Sequence, residues 1–422
     1  MRRGTLRNPA WTLAAFGLAV ALSACGSDEG ANDPGQLQPG PQPGEPGYPG
    51  APGEAQTPEE QVKQILDARK ADYGEALRTA SLKLRDELPS LAEIKTIEAA
   101  ADEAGKKAAY EKLVDDMLAS PKFSNVMVKF WKDTFRTAQV GAIQQGQPNK
   151  DTAANFAAQV VVEGRNYSEL FTATANTCPT FDAATSTFTP AACPAHPSGQ
   201  ATVGLLTDSG LLAQYYSNMA FRRLRFIQET FACQKFPAEY SSTPKPMGNG
   251  TFTGTQPFES ITGKQNKPDA RIDFQDTQAV ICANCHSTMN HLTPLLMGAN
   301  EAGLFQTPTA QNPSEVLVPI PGEPRARRID YLPDGEGFFW RAGKPVTDLS
   351  SLGAAIAADP EVGRCAVNRV WNYALSRGDI VNDLATIPNA VTDGFRTQFA
   401  ANNGNLKEII RGVFKSEDFV KF

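Results

Sequence analysis

The chain has 422 residues, with 40 Lys and Arg against 46 Asp and Glu, for a net charge of −6 with histidine neutral. That mild acidic balance leaves no basic footprint for nucleic acid. Residues 58 to 422 are enough for two domains with cores of their own.

The N-terminus carries Arg2, Arg3 and Arg7, an apolar stretch from Trp11 to Leu22, and then Leu22-Ser23-Ala24-Cys25. A positive start and an apolar run too short to span a bilayer read as a signal peptide over 1–24. A small-residue site ending in cysteine is a lipobox, so Cys25 is expected to be lipidated, with an ordinary secretory signal as the alternative. Each buried methylene of a lipid chain contributes about 0.8 kcal/mol, which would anchor the chain to a membrane without a spanning helix. The expected location is the cell envelope, on the periplasmic face or surface of the outer membrane; Gly26 rather than Asp after the cysteine favours the outer membrane. Residues 25–57, rich in Gly, Pro, Gln and acidic residues, lack the apolar content to offset ordering entropy and read as a tether.

Beyond the tether the apolar spacing is mostly helical. Tyr110, Leu113, Val114, Met117 and Leu118 fall on one helix face, and Phe123, Val126, Met127, Phe130 and Trp131 repeat the pattern after Pro121. Further helices are expected at 58–86, 152–163, 208–232, 351–358, 361–376 and 405–414. Long Pro, Gly and Thr stretches at 237–270 and 304–347 separate them, as loops that are functional or pack on a cofactor. The fold expected is mainly α, with a helical domain over 58–236 followed by a loop-rich cytochrome c-like haem domain over 237–422. The clusters Arg222-Arg223-Arg225 and Arg325-Arg327-Arg328 read as solvated faces, or as groups that seat haem propionates.

Cys282-Ala283-Asn284-Cys285-His286 is a C-x-x-C-H run within a stretch, 275–289, that reads as helical. Two thiols at this spacing can each add across a haem vinyl group, and the following histidine gives a ring nitrogen to the iron. A structural zinc site needs further paired ligands, and no second C-x-x-C or His pair lies at finger spacing. A thioredoxin-like pair expects a preceding strand. Cys282, Cys285 and His286 are therefore expected to hold one covalent haem c, with His286 as the proximal iron ligand. Met297, after the turn at Pro294, and His291 are the leading candidates for the distal position, ahead of Met247 and His196. A thioether there would raise the potential relative to bis-histidine ligation.

With Cys25 assigned to lipid and two cysteines to haem, Cys178, Cys193, Cys233 and Cys365 remain of the seven. An even number in an exported chain points to disulfides. Cys178 and Cys193 bracket a short segment, where a bridge is worth roughly 3 kcal/mol of chain entropy. Cys233 would then pair with Cys365, although three connectivities are formally open.

The stretch Tyr110-Glu111-Lys112-Leu113-Val114-Asp115-Asp116-Met117-Leu118-Ala119-Ser120-Pro121, with Phe130-Trp131 after it, resembles the helical regions of the planctomycete-type cytochrome c-like proteins. These are exported domains of unknown function. Gly204-Leu205-Leu206-Thr207, Arg222 to Cys233 with Pro237, Cys282 to His286 with Pro294, and Gly363-Arg364-Cys365 through Trp371, Tyr373 and Arg377 are similar to later segments of the family. The resemblance implies a cytochrome-like role and supports the pair Cys233–Cys365. Leu295-Leu296-Met297-Gly298 departs from the Gly, Phe and acidic run usual after the haem motif.

Two function classes follow. An electron carrier using one haem, facing an unknown redox partner protein, is favoured because three histidines leave little material for general acid or base work. A haem enzyme of peroxidase-like or oxidative type is the alternative, with a lipid-anchored surface binding protein without haem as a third reading.

Overall fold

Short polar side chains cap the start of eight of the fourteen α-helices among the described residues. The computed structural model describes Gln64, 67–216, 220–234, His286, 288–307, 331–332, 335–377 and 387–422. Two units are distinguished, Met1–Ala68 and Arg69–Phe422. Only Gln64, Asp67 and Ala68 of the first are described, so the Cys25 lipobox and most of the tether lie outside the described residues.

Tyr73–Arg85 (α1) begins where Asp72 accepts hydrogen bonds from Gly74 N and Glu75 N, at 3.0 and 2.9 Å. Leu91–Glu98 (α2) follows on a capping box in which Ser90 and Glu93 satisfy each other's backbone amides. Glu103–Ala119 (α3) and Pro121–Phe135 (α4) share Ser120, which ends one helix and caps the next, with Pro121 in the first turn where its missing N–H costs nothing. Thr152–Val162 (α5) is buried on every side from Thr152 to Val161 and packs against α4. Glu169–Thr172 (α6) is a single turn.

Next comes a small hairpin, Thr180–Asp182 (β1) against Thr187–Thr189 (β2), with Phe181 opposite Phe188. Ser209–Gln214 (α7) and Phe221–Phe231 (α8) follow. The sequence predicts one helix over 208–232; the structure breaks it, and Ala220 stands at φ 66° immediately before Phe221, a left-handed conformation no continuous helix contains. Thr293–Leu296 (α9) is a single turn that follows His286 in the chain. A second hairpin pairs Phe338–Trp340 (β3) with Lys344–Val346 (β4).

The C-terminal helices are Leu349–Ala357 (α10), Pro360–Ala374 (α11), Asn389–Ala401 (α12), Leu406–Phe414 (α13) and Glu417–Val420 (α14). In α13, Leu406, Ile409, Ile410, Val413 and Phe414 are buried and pack on α11, α12 and α3. The Tyr110 hydroxyl on α3 donates to the Phe414 carbonyl at 2.7 Å, fully buried. Lys70 and Phe422 exchange backbone hydrogen bonds at 3.1 and 3.0 Å, so both ends of this unit pair as a two-residue ladder. Residues on either side of position 237 thus belong to the same unit and to one continuous apolar cluster. Position 237 itself lies outside the described residues.

The described residues are mainly helical. Glycines fix one contact that side chains would forbid: a Cβ on Gly204, at φ 44°, would overlap the Leu170 carbonyl, and one on Gly353 would overlap the Phe171 carbonyl. Helix α6 is therefore gripped from two directions by backbone.

Candidate functional site

Of the cysteines and histidine of the C-x-x-C-H run, His286 alone is among the described residues; Cys282 and Cys285 lie outside them. Its Nδ1 lies 2.9 Å from the Asn290 side-chain oxygen, and the Asn290 amide donates to the His286 carbonyl at 3.0 Å. Both bonds follow from one helical turn of separation. The ring meets Phe221 edge-on at 4.8 Å, and Phe221 meets Tyr331 at 5.5 Å. Asn290 and Tyr331 are buried. Burial lowers the His286 pKa, with the Asn290 bond opposing it, so the imidazole is held neutral. With the proton on Nδ1 and given to an amide oxygen, the ring is in the tautomer that a metal-ligating histidine uses. Thr288 Oγ1 and Thr293 Oγ1, on either side of this turn, are buried without a hydrogen-bond partner among the described residues. The donor set at His286 therefore fits an iron ligand.

The segment after the motif is held by Arg223. This guanidinium donates from Nε to Leu212 O at 2.9 Å, from Nη1 to Leu296 O and Ala299 O at 3.0 and 2.9 Å, and from Nη2 to Asn300 O at 3.0 Å. It is 2% exposed, and burial pulls its pKa down to about 10. The expectation of a solvated arginine face over 222–225 is thus corrected at Arg223, while Arg222 and Arg225 are exposed. Four carbonyls satisfy the buried cation, which a run of arginines in sequence does not reveal. Arg325, Arg327 and Arg328 lie outside the described residues.

The two leading distal candidates sit in different surroundings. His291 stacks on Phe339 with centroids 3.7 Å apart, places Nδ1 3.0 Å from Gly337 O, and has Nε2 3.8 Å from Glu336. Burial lowers its pKa, against the opposing pull of Gly337 and Glu336. Met297 closes α9 and is packed in the core beside Leu292 and Leu296. His196 is buried, accepts from Phe305 N at 3.3 Å and has its pKa lowered by burial. Met247 lies outside the described residues.

The remaining cysteines form two bridges, Cys178–Cys193 and Cys233–Cys365, with Cα separations of 5.0 and 5.4 Å. The second ties the residue after α8 to the middle of α11, and Arg369, one turn on, donates to Thr230 O at 2.7 Å. Asp208 Oδ2 lies 3.6 Å from the Cys178 sulfur. Cys178, Cys193 and Asp208 have the spacing of a metal group, but a bridged pair offers no thiolate, so this is a disulfide beside a carboxylate. Burial raises the Asp208 pKa to about 6, against hydrogen bonds from Thr152, Leu211 and Gly210.

Sequence reasoning missed Asn290 and Phe221. An Asn four residues after a motif histidine is a legible helical pairing; Phe221 is distant in sequence and carries no local signal.

Residues 57–177 match the model of the family PSCyt2, described as a protein of unknown function (DUF1549), a planctomycete cytochrome-like domain. The match takes in α1 to α6 and stops ahead of Cys178, so it contains neither His286 nor the later segments of the resemblance. No curated protein and no solved structure matches the chain.

Proposed function

We propose that this chain is an exported, lipid-anchored electron-transfer protein with one covalent c-type haem, attached through Cys282 and Cys285 and ligated by His286. The observation that carries the reading is the C-x-x-C-H run at 282–286 in a chain that opens on a lipobox. The two disulfides agree with an oxidising compartment, and the cytochrome-like family of the matched segment agrees with the chemistry.

When bound, such a haem supplies reversible one-electron chemistry. The chain's own residues do the rest. Asn290 orients the His286 ring, and the edge-on Phe221 ring shields it. Burial keeps the imidazole neutral, the form that ligates a metal. Arg223 holds the backbone from Leu296 to Asn300 at three carbonyls and ties it to a fourth, Leu212 O, which fixes where Met297 sits. For the distal position we favour Met297 over His291, because His291 would have to release Gly337 O or move off Phe339, whereas a thioether gives up no strong hydrogen bond. Lipid on Cys25 would hold the chain at the periplasmic face or surface of the outer membrane, facing a redox partner protein.

Peptide mapping tests this. From protein made alongside a c-type maturation system, the peptide containing Cys282 to His286 is expected to carry haem on both sulfurs. Alkylation of Cys282 or Cys285 as a free thiol overturns the assignment.

A further inference from the structure

Helices α1, α4, α8 and α11 line an open cavity of about 970 Å³ between them, the size of a ligand site. Its walls carry seven cationic side chains against the three carboxylates of Asp86, Asp133 and Glu229. Two cations are locally neutralised: Lys129 lies 3.5 Å from Asp86, and Arg225 lies 2.9 Å from Glu229. Arg369 is spent on the Thr230 carbonyl.

Arg222 donates to Tyr216 O at 3.5 Å; with Lys83, Arg136 and Arg377 it falls at one of two poles, each beside a tyrosine. At one pole Lys83 stands over the Tyr373 ring at 4.9 Å, and Arg377 follows the end of α11, its amide bonded to Asn372 O at 2.8 Å. At the other, Arg222 lies over Tyr215 at 5.9 Å, and Arg136 caps α4 one residue beyond the Phe135 carbonyl that the Tyr215 hydroxyl binds at 2.7 Å. Phe130 packs on Tyr373 at 5.0 Å and Phe226 stacks on Tyr215 at 4.3 Å, so each pole carries a pair of aromatic rings. Lys83, Arg136 and Arg377 make no ion pair among the described residues, although all three line the same cavity. Unpaired cations gathered in a concave wall favour binding of an anion over solvation alone, and Arg forks match carboxylate, sulfate or phosphate oxygens in pairs.

We propose that this cavity binds a small polyanion built on a ring or apolar body, with carboxylate, sulfate or phosphate groups reaching both cationic poles. Acidic saccharides and phosphorylated sugars share that chemistry. The proposal does not rest on haem, because no lining residue belongs to the 282–286 motif.

The test is calorimetric titration of the full chain with trigalacturonate and with fructose 1,6-bisphosphate. Saturable binding of one molecule per chain by either probe is expected, and the probe that binds tells carboxylated from phosphorylated ligands. Affinity is expected to fall with added salt and to drop at least tenfold in both Arg136→Gln and Arg377→Gln. Lys107→Gln, at an exposed position of α3 outside the cavity, is expected to leave it unchanged. Both arginines are exposed, and melting of the unliganded variants checks that they fold; the salt series on the unmutated chain discriminates without any substitution. Failure of both probes to bind, salt-independent binding, loss confined to one arginine, or an equal loss in Lys107→Gln overturns the two-pole site. The haem spectrum reports separately on the electron-transfer reading.

Discussion

The Nδ1 of His286 and the side-chain oxygen of Asn290 lie 2.9 Å apart across one helical turn, with Asn290 itself buried. This pair converts a flexible ring into an oriented one, and second-sphere bonds of this kind are typically worth 10- to 100-fold in metal affinity. In haem-loaded protein, Asn290→Leu is expected to make His286 easier to displace, shifting competition by an added imidazole by about tenfold. Spectral titration with imidazole checks this; an unchanged titration would remove Asn290 from the site.

Arg223 is a buried cation held by four backbone carbonyls, with its guanidinium 5.3 Å from the Tyr216 ring centroid. Replacing it with Met removes the charge but leaves four acceptors dry. Each unsatisfied buried acceptor costs about 1–3 kcal/mol, so Arg223→Met is expected to destabilise the fold by at least about 3 kcal/mol. Arg223→Lys is expected to recover only part of that, because an ammonium cannot span the same fork. Urea denaturation measures both.

The two disulfides differ in the length of chain they close, with separations of 132 residues for Cys233–Cys365 and 15 for Cys178–Cys193. In the chain-entropy account the longer loop is worth about 5 kcal/mol and the shorter about 3 kcal/mol. A Cys233→Ser/Cys365→Ser double variant is expected to lose more stability than Cys178→Ser/Cys193→Ser. Thermal and urea melts of the two provide the comparison, and the reverse order would locate the main constraint in the short loop.

Asp208 gives the fold a pH dependence of known sign. Its pKa is raised from 3.8 to about 6 by burial, so between those values the folded state holds a proton that the unfolded state has released. Its contribution is fully present below about 3.8, is lost as pH rises through about 6, and then levels off. About two pK units correspond to roughly 3 kcal/mol. His196, His286 and His291, whose pKa values are lowered, oppose this by adding stability as pH rises. The comparison that isolates Asp208 is therefore between the wild type and Asp208→Asn, which keeps a capping side chain. The variant is expected to gain stability relative to wild type from pH 4 to pH 7, and a constant gap between their urea midpoints would contradict the assignment.

Much of the helical frame was legible because burial on one side leaves a period in the sequence. The stripe Leu406, Ile409, Ile410, Val413 and Phe414 is one buried face of α13, as the spacing predicts. Helix α12 was not seen because only Thr392 is buried along it, so it carries little apolar stripe. Helix α2 was missed although Ser90 and Glu93 spell its capping box. The break before Phe221 depends on the left-handed Ala220, which residue identity does not announce. The motif histidine was legible, but its setting was not, because Phe221 and Tyr331 reach it from distant parts of the chain. The basic cavity is likewise assembled from four helices whose charges are scattered along the sequence.

The central claim is a covalent haem on Cys282 and Cys285 with His286 as ligand. It is tested most directly by a pyridine haemochrome spectrum of protein expressed with a c-type maturation system, beside Cys282→Ala/Cys285→Ala. The account predicts a c-type band at about one haem per chain, lost in the double variant. No band in the unmutated protein, or a band that survives loss of both cysteines, would contradict it.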